Sequence, residues 1–298
     1  MNYKNVTIAG SGVLGYQIAF QTAFHGFNVT VYDLNDTVLD KAKTKFKTLS
    51  EAYKKDLNAT DEQLEKTRQN LNYTSDLALA VKDADLLIEA VPENPTIKID
   101  FYKKLAKVAP EKTVFATNSS TLLPSEFADA TGRPSNFIAL HFANTIWVHN
   151  TAEIMGHPKT DPNVFKDVVA FAKAIGMLAL PLHKEQPGYI LNSLLVPLLS
   201  AATDLLVSEV ADVQTIDKTW MKATGASLGP FGILDVVGIT TAYNINKMTA
   251  EKTQDELKIK TVNYLKENYI DKHKLGVATG EGFYGYPNPA FESPEFLK

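Results

Sequence analysis

A short β-like run, VTIA at residues 6–9, passes at once into Gly10-Ser11-Gly12-Val13-Leu14-Gly15 and then into a helical pattern through Ile18, Ala19 and Phe20 to His25-Gly26. Three glycines at that spacing, between a strand and a helix, require a tight turn with almost no side-chain bulk. Such a turn gathers free backbone N–H groups and the positive end of the helix dipole in one place, which suits a pyrophosphate. The next β-like run, VTVYD at 29–33, ends on Asp33, 18 residues after Gly15, where a carboxylate can accept hydrogen bonds from adenosine ribose hydroxyls. A 2′-phosphate would be repelled there. The expected cofactor is therefore NAD rather than NADP, held by Gly10, Ser11, Gly12, Val13, Leu14, Gly15 and Asp33.

The same alternation continues. Further β-like runs lie at 86–91 (LLIEAV), 113–117 (TVFAT), 137–142 (FIALHF) and 177–182 (MLALPL), with helical patterns between them. Strands alternating with helices argue for a mostly parallel sheet covered on its faces, an α/β Rossmann-type domain over residues 1–184. The charged segment 35–69, rich in lysine and with apolar residues at helical spacing, predicts a helical hairpin at the sheet's edge. After Pro187-Gly188 the strand-like runs stop, and helical patterns occupy 188–208, about 213–223, 230–248 and 254–270. The second domain, 185–298, is expected to be all-α.

Composition removes several classes of function. The 298 residues are 45% hydrophobic and 21% charged, which is ordinary globular composition, and there is no internal repeat. A net charge of −4 supplies no basic field, so neither nucleic acid nor a membrane is an expected partner. With no cysteine there is no disulfide framework or zinc thiolate site, and no metal is expected. The N-terminus runs straight into the first strand, so the expected location is cytoplasmic. The segment 189–207 is very apolar, but Asn192, Ser193, Ser200, Thr203 and Asp204 interrupt it, which favours a buried helix over a bilayer span. A helix apolar nearly all round must be covered on every side, and a second subunit is the expected cover, making a homodimer.

The stretch HFANTIWVHNTAE places a histidine, His141, at the end of one apolar run and a glutamate, Glu153, twelve residues on at the start of another. Together with LLIEAVPEN, ATNSST, PGYILN, GPFGILDVVG and TGEGFYGY, in that order along essentially the whole chain, it resembles the 3-hydroxyacyl-CoA dehydrogenase family, in the short single-function form similar to bacterial 3-hydroxybutyryl-CoA dehydrogenases. The resemblance implies hydride transfer between NAD and a short-chain L-3-hydroxyacyl-CoA, in a Rossmann domain followed by a helical domain that builds a dimer. It makes His141 the general acid/base and Glu153 the carboxylate that holds it. The chemistry explains these types: taking a hydroxyl proton as hydride leaves the same carbon needs a base that titrates near neutrality, and a carboxylate on the far ring nitrogen fixes its tautomer.

By the same resemblance, Ser120 and Asn192 meet the substrate, with Ser120 also near the nicotinamide. Glu93, Lys98 and Asn144 meet the cofactor, and Lys54 and Lys55 offer charge to the acyl-CoA phosphates. The chain also departs from the family pattern. Ala143 and Thr145 replace a phenylalanine and a proline, Trp147 enters the loop, and His149-Asn150 replaces Met-Lys. Ser193 stands for an arginine and Ala278 for a lysine. These changes bear on the substrate end, so a dehydrogenase of a non-CoA 3-hydroxy acid, of carnitine or sugar-acid type, is the alternative, followed by a non-catalytic dinucleotide-binding protein.

Overall fold

The computed structural model describes all 298 residues and divides into two compact units, Met1–Ile190 and Leu191–Lys298. The first unit is built on one eight-stranded sheet: β1 (Asn5–Ala9), β2 (Asn28–Tyr32), β3 (Leu71–Thr74), β4 (Leu86–Glu89), β5 (Val114–Thr117), β6 (Phe137–Phe142), β7 (Thr151–Met155) and β8 (Leu178–Leu182). Its order is β3-β2-β1-β4-β5-β6-β7-β8, parallel at every pairing except β6 with β7. The direction of strand addition reverses between β1 and β4, and in such sheets the crevice outside the carboxyl ends at that point is where ligands bind.

Two strands lie outside the six apolar runs. In β3 (LNYT) only Leu71 is buried, because an edge strand needs few apolar residues. In β7 the chain turns back on β6, and the antiparallel register sets His141 directly opposite Glu153. Helices α1 (Gly15–Phe24), α2 (Asp36–Leu57), α3 (Asp61–Gln69), α4 (Leu77–Val81), α5 (Pro95–Val108) and α6 (Pro162–Ala174) cover the sheet. The expected hairpin is α2 and α3. Asn35 caps α2 through Val38 N (3.1 Å), Thr60 and Gln63 form a capping box on α3, and α2 buries Leu39, Ala42, Phe46, Leu49 and Tyr53 at helical spacing.

The second unit holds α7 (Tyr189–Val207, whose first two residues belong to the first unit), α8 (Val213–Thr224), α9 (Pro230–Val237), α10 (Ile239–Thr253) and α11 (Glu256–Leu265), closed by a π-helical turn at Lys266–Ile270. The single helix expected over 230–248 is two, because Gly238 at φ +93° breaks it. Its core packs Leu199, Ala202, Met221, Phe231, Leu234 and Tyr284. Two buried carboxylates tie this core together: Asp217 accepts from Phe231 N (2.9 Å) and Tyr284 Oη (2.9 Å), and Asp235 from Phe283 N (2.8 Å), Tyr284 N (2.9 Å) and Tyr286 Oη (3.0 Å). Burial pushes both carboxyls above the usual aspartate range.

The expectation of a buried α7 is not met within one chain. The helix has a mean hydropathy of 1.8, long and apolar enough by composition to cross a membrane, yet only 22% of that stretch is buried, with Leu194 69% exposed.

Candidate active site

The glycine turn leaves β1 at the carboxyl edge. Gly10 takes φ +97°, and a Cβ there would lie 2.5 Å from Ala90 O, while a Cβ on Gly15 would lie 1.9 Å from Gly10 O. Both glycines are therefore required by the turn itself. Gly12 is different: a Cβ on it would meet nothing within 4 Å, so nothing in the protein excludes a side chain there. Close approach of a diphosphate is the reason that remains. α1 opens at Leu14 with no side-chain cap, which leaves its first N–H groups and dipole end for an anion. Asp33, just past β2, is held from behind, Oδ2 by Ser11 N (2.7 Å) and Ser11 Oγ (2.6 Å) and Oδ1 by Leu34 N (2.8 Å). An oriented carboxylate keeps lone pairs for ribose hydroxyls, so these residues fit a dinucleotide.

His141 ends β6 and is 6% exposed. Its Nδ1 lies 3.1 Å from Glu153 Oε2, and Glu153 Oε1 accepts from Ile190 N at 2.8 Å. With Nδ1 committed to the carboxylate, Nε2 carries the free lone pair of the neutral ring. Asn118, at the end of β5, fixes the same corner by accepting from Phe142 N (3.0 Å). Tyr189 was not singled out in the sequence, although it lies in PGYILN. Its ring stacks on the imidazole at 4.5 Å between centroids and 19° between planes, and its hydroxyl donates to Ser119 O at 2.8 Å. Tyr189 takes φ +56°, a conformation uncommon outside glycine, which places the ring there at the entry to α7.

The Ser120 loop is organised from below by charge. Glu93 Oε1 accepts from Ser119 Oγ (2.6 Å), Ser120 N (3.0 Å), Thr121 N (3.0 Å) and Thr121 Oγ1 (3.0 Å). Burial pushes the Glu93 carboxyl up, but these donors and the Lys98 ammonium outweigh it and hold it below the ordinary glutamate value. Lys98, expected to meet the cofactor, lies under this loop. It is 1% exposed, its ammonium 2.6 Å from Glu89 Oε1 and 3.3 Å from Glu93 Oε2. Glu89, fully buried, also accepts from Tyr102 Oη (2.9 Å) and Thr117 Oγ1 (2.8 Å). A buried charge needs such partners, and a glutamate inside the strand LLIE was the available sequence signal.

Asn144 follows two residues after β6, and its Oδ1 accepts from Gln17 Nε2 at 2.6 Å. Thr145 takes φ +60°, which proline cannot adopt, so its presence in place of the family's proline goes with a different backbone turn. Trp147 lies across the end of α2, its Nε1 donating to Asp56 Oδ2 (2.9 Å) and its ring 5.6 Å from that of Tyr53. Lys54 is paired with Asp61 (2.8 Å) and approaches Glu51 (3.8 Å), while Lys55 is exposed. Asn192, Ser193 and Ala278 belong to the helical unit, Asn192 half-buried on α7 and Ala278 in a 3-10 turn at Val277–Thr279. No group of three His, Asp or Glu side chains is arranged to hold a metal ion.

Comparison with known proteins identifies the family. Residues 5–186 match the family model of the 3-hydroxyacyl-CoA dehydrogenase NAD binding domain, and residues 188–286 match the C-terminal domain of the same family. The mitochondrial hydroxyacyl-coenzyme A dehydrogenase of Homo sapiens is 35% identical over 292 residues, covering 95% of this chain and 91% of that protein. The probable 3-hydroxybutyryl-CoA dehydrogenase of Bacillus subtilis is 29% identical over 289 residues, covering 96% of this chain and 98% of that protein. A solved structure described as "substrate-directed dual catalysis of dicarbonyl compounds by diketoreductase" is 57% identical with a TM-score of 0.90, covering 96% of this chain and 100% of that one. With both domains matched in order over nearly its whole length, the chain belongs to the 3-hydroxyacyl-CoA dehydrogenase family and is an NAD-dependent oxidoreductase.

Proposed function

We propose that the protein interconverts a 3-hydroxy and a 3-oxo compound with His141 as the acid/base, and that its substrate is a small dicarbonyl compound that needs no coenzyme A. The observation that carries the reaction is the buried His141 and Glu153 pair on adjacent strands, at the same sheet edge as the glycine turn. In oxidation, the substrate hydroxyl gives its proton to His141 Nε2 as the carbon–oxygen double bond forms, and Glu153 stabilises the resulting imidazolium. In reduction, the same nitrogen returns the proton to the developing alkoxide. NAD supplies the hydride acceptor when bound and oxidised, and the donor when reduced.

Two observations support a CoA-free substrate. Around the Lys54 and Lys55 corner, Asp61 and Glu51 flank Lys54, and Asp56 is adjacent to Lys55 and engaged by Trp147. A Lys54 ammonium already flanked by two carboxylates makes a poor landing place for the phosphates of coenzyme A. The 57% identical diketoreductase structure, described as acting on dicarbonyl compounds, supports the same class. A 3-ketoacyl thioester is itself a dicarbonyl, and curated relatives carry hydroxyacyl-CoA in their names, so the thioester is the second reading. NADH consumption followed with a small 1,3-diketone, a 3-oxo ester and the matching 3-ketoacyl-CoA separates the two. Comparable or better kcat/KM for the free dicarbonyls is expected, and a thioester preferred by more than about tenfold overturns the CoA-free reading.

A homodimer through the helical unit is proposed with it. Leu194, Val196, Leu205 and Val210 are exposed, and an apolar groove of about 520 Å³ is lined by Leu198, Leu205, Val210, Ile216 and Trp220.

A further inference from the structure

Gln17 stands on α1, two residues past the last glycine of the cofactor turn, and is 3% exposed. Backbone groups of opposite kind fix which end of its amide is which: Nε2 donates to Val13 O (2.8 Å), and Oε1 accepts from Thr145 N (2.9 Å) and Ile146 N (3.3 Å). The orientation of Asn144 follows. Gln17 Nε2 donates to Asn144 Oδ1 at 2.6 Å, and Thr145 N reaches the same oxygen at 3.0 Å. The oxygen of Asn144 is thereby turned inward, and its Nδ2, on an exposed residue and with no partner in the protein, faces out as a donor. Gln17 also answers a need that Thr145 creates, since a threonine brings a backbone N–H that a proline would lack, and Gln17 Oε1 receives it.

We infer that Gln17 is a positioning residue that ties the loop after His141 to the turn holding the cofactor's phosphates, and that it sets Asn144 as a hydrogen-bond donor to a ligand carbonyl oxygen. That oxygen belongs to the nicotinamide carboxamide or to the second carbonyl of the substrate. The inference stands whether or not coenzyme A is required, so its failure is separate from that of the CoA-free reading.

Gln17→Glu is the discriminating variant. A carboxylate of the same shape still accepts from Thr145 N and Ile146 N but cannot donate to Val13 O or Asn144 Oδ1, so the anchor on the Thr145 loop is kept while Asn144 and the glycine turn are released. Calorimetric titration with NAD and with ADP-ribose, which lacks the nicotinamide, is combined with KM for the best dicarbonyl and with a thermal melt. If the carboxamide is the acceptor, the Kd for NAD rises about 5- to 20-fold and that for ADP-ribose by less than about threefold. If the substrate carbonyl is the acceptor, both Kd values hold and KM rises by a similar factor. Asn144→Asp, on the surface and without the amide donor, gives the same pattern, and the double variant is no worse than Asn144→Asp alone. Should Gln17→Glu fail to fold, Asn144→Asp decides in the same way. Unchanged affinities and KM in a folded variant overturn the inference, as does equal weakening of NAD and ADP-ribose, which would make Gln17 a prop of the glycine turn only.

Discussion

Replacing Glu153 with glutamine keeps its shape and removes one acceptor and one charge. Both oxygens of Glu153 are in use, Oε2 at 3.1 Å from His141 Nδ1 and Oε1 at 2.8 Å from Ile190 N, and the residue is 3% exposed. Glutamine has one acceptor for these two places. With its oxygen toward Nδ1, the amide nitrogen meets the Ile190 N–H, donor against donor. With its oxygen toward Ile190, the amide nitrogen donates to Nδ1, the ring hydrogen moves to Nε2, and the base is lost. A mispaired buried donor costs about 1–3 kcal/mol. Losing the charge adds more: at about 3 Å and an effective dielectric near 20, the attraction for the imidazolium is on the order of 5 kcal/mol before solvation offsets it. At about 1.4 kcal/mol per tenfold, kcat should fall by about 10²- to 10⁴-fold. The Kd for NAD should hold, because neither the glycine turn nor Asp33 touches Glu153. His141→Gln should be equally or more severe, and the double variant little worse than His141→Gln alone. NADH absorbance with the best dicarbonyl substrate measures kcat, and calorimetry measures the cofactor. Turnover of Glu153→Gln within about tenfold of the native protein would refute the argument.

Gly12→Ala should fold and melt normally, since its Cβ meets nothing within 4 Å, yet weaken NAD by more than about tenfold, whereas Gly15→Ala, with its Cβ 1.9 Å from Gly10 O, should lower the melting temperature. Equal NAD affinity in Gly12→Ala and the native protein counts against the cradle. Leu194→Glu, at a site 69% exposed, should give folded monomers in sedimentation, while Leu199→Glu, 9% exposed in the helical core, should unfold the protein; a monomeric native protein at micromolar concentration sinks the dimer. Asp235 has its folded-state pKa raised by burial, so its contribution to stability is greatest below the ordinary aspartate value of 3.8 and declines as pH rises through the raised one. Asp235→Asn should flatten that part of the curve of unfolding free energy against pH, and an unchanged slope removes Asp235 as its cause.

What the sequence made legible is what periodicity and spacing can carry. The glycine turn, Asp33 and the apolar runs are local, and each lies where its local pattern put it. The hairpin α2 and α3 announced itself through helical spacing and capping residues. Less legible were features set by partners distant in sequence. Lys98 reads as a helix-start lysine until Glu89, buried in β4, is seen beside it. Tyr189 reads as one more apolar residue of α7 until its ring is found on His141. Gln17 lies 128 residues from the Thr145 N–H it accepts, and no pattern along the chain links them. The break at Gly238 is local, but a helical period alone runs straight through it.

The departures from the family pattern also fall into place by what holds them. Ala143, Thr145, Trp147, His149 and Asn150 all lie in the loop between β6 and β7. The pair proposed for the chemistry is set by the ladder, where His141 faces Glu153 and Glu153 faces Leu180 on β8, so its geometry does not depend on the loop's sequence. The loop is free to change provided it is anchored anew, and here it is anchored three times: at Thr145 by Gln17 on α1, at Trp147 by Asp56 and Tyr53 on α2, and at Asn150, whose Nδ2 donates to Gly176 O at 2.9 Å. Tyr53 is in turn held by Gln21 on α1. In the reading proposed above, one of these anchors also touches the substrate end, because Asp56, which receives Trp147, follows Lys55 in sequence. The loop's sequence can thus change while the facing of His141 and Glu153 stays as the ladder sets it.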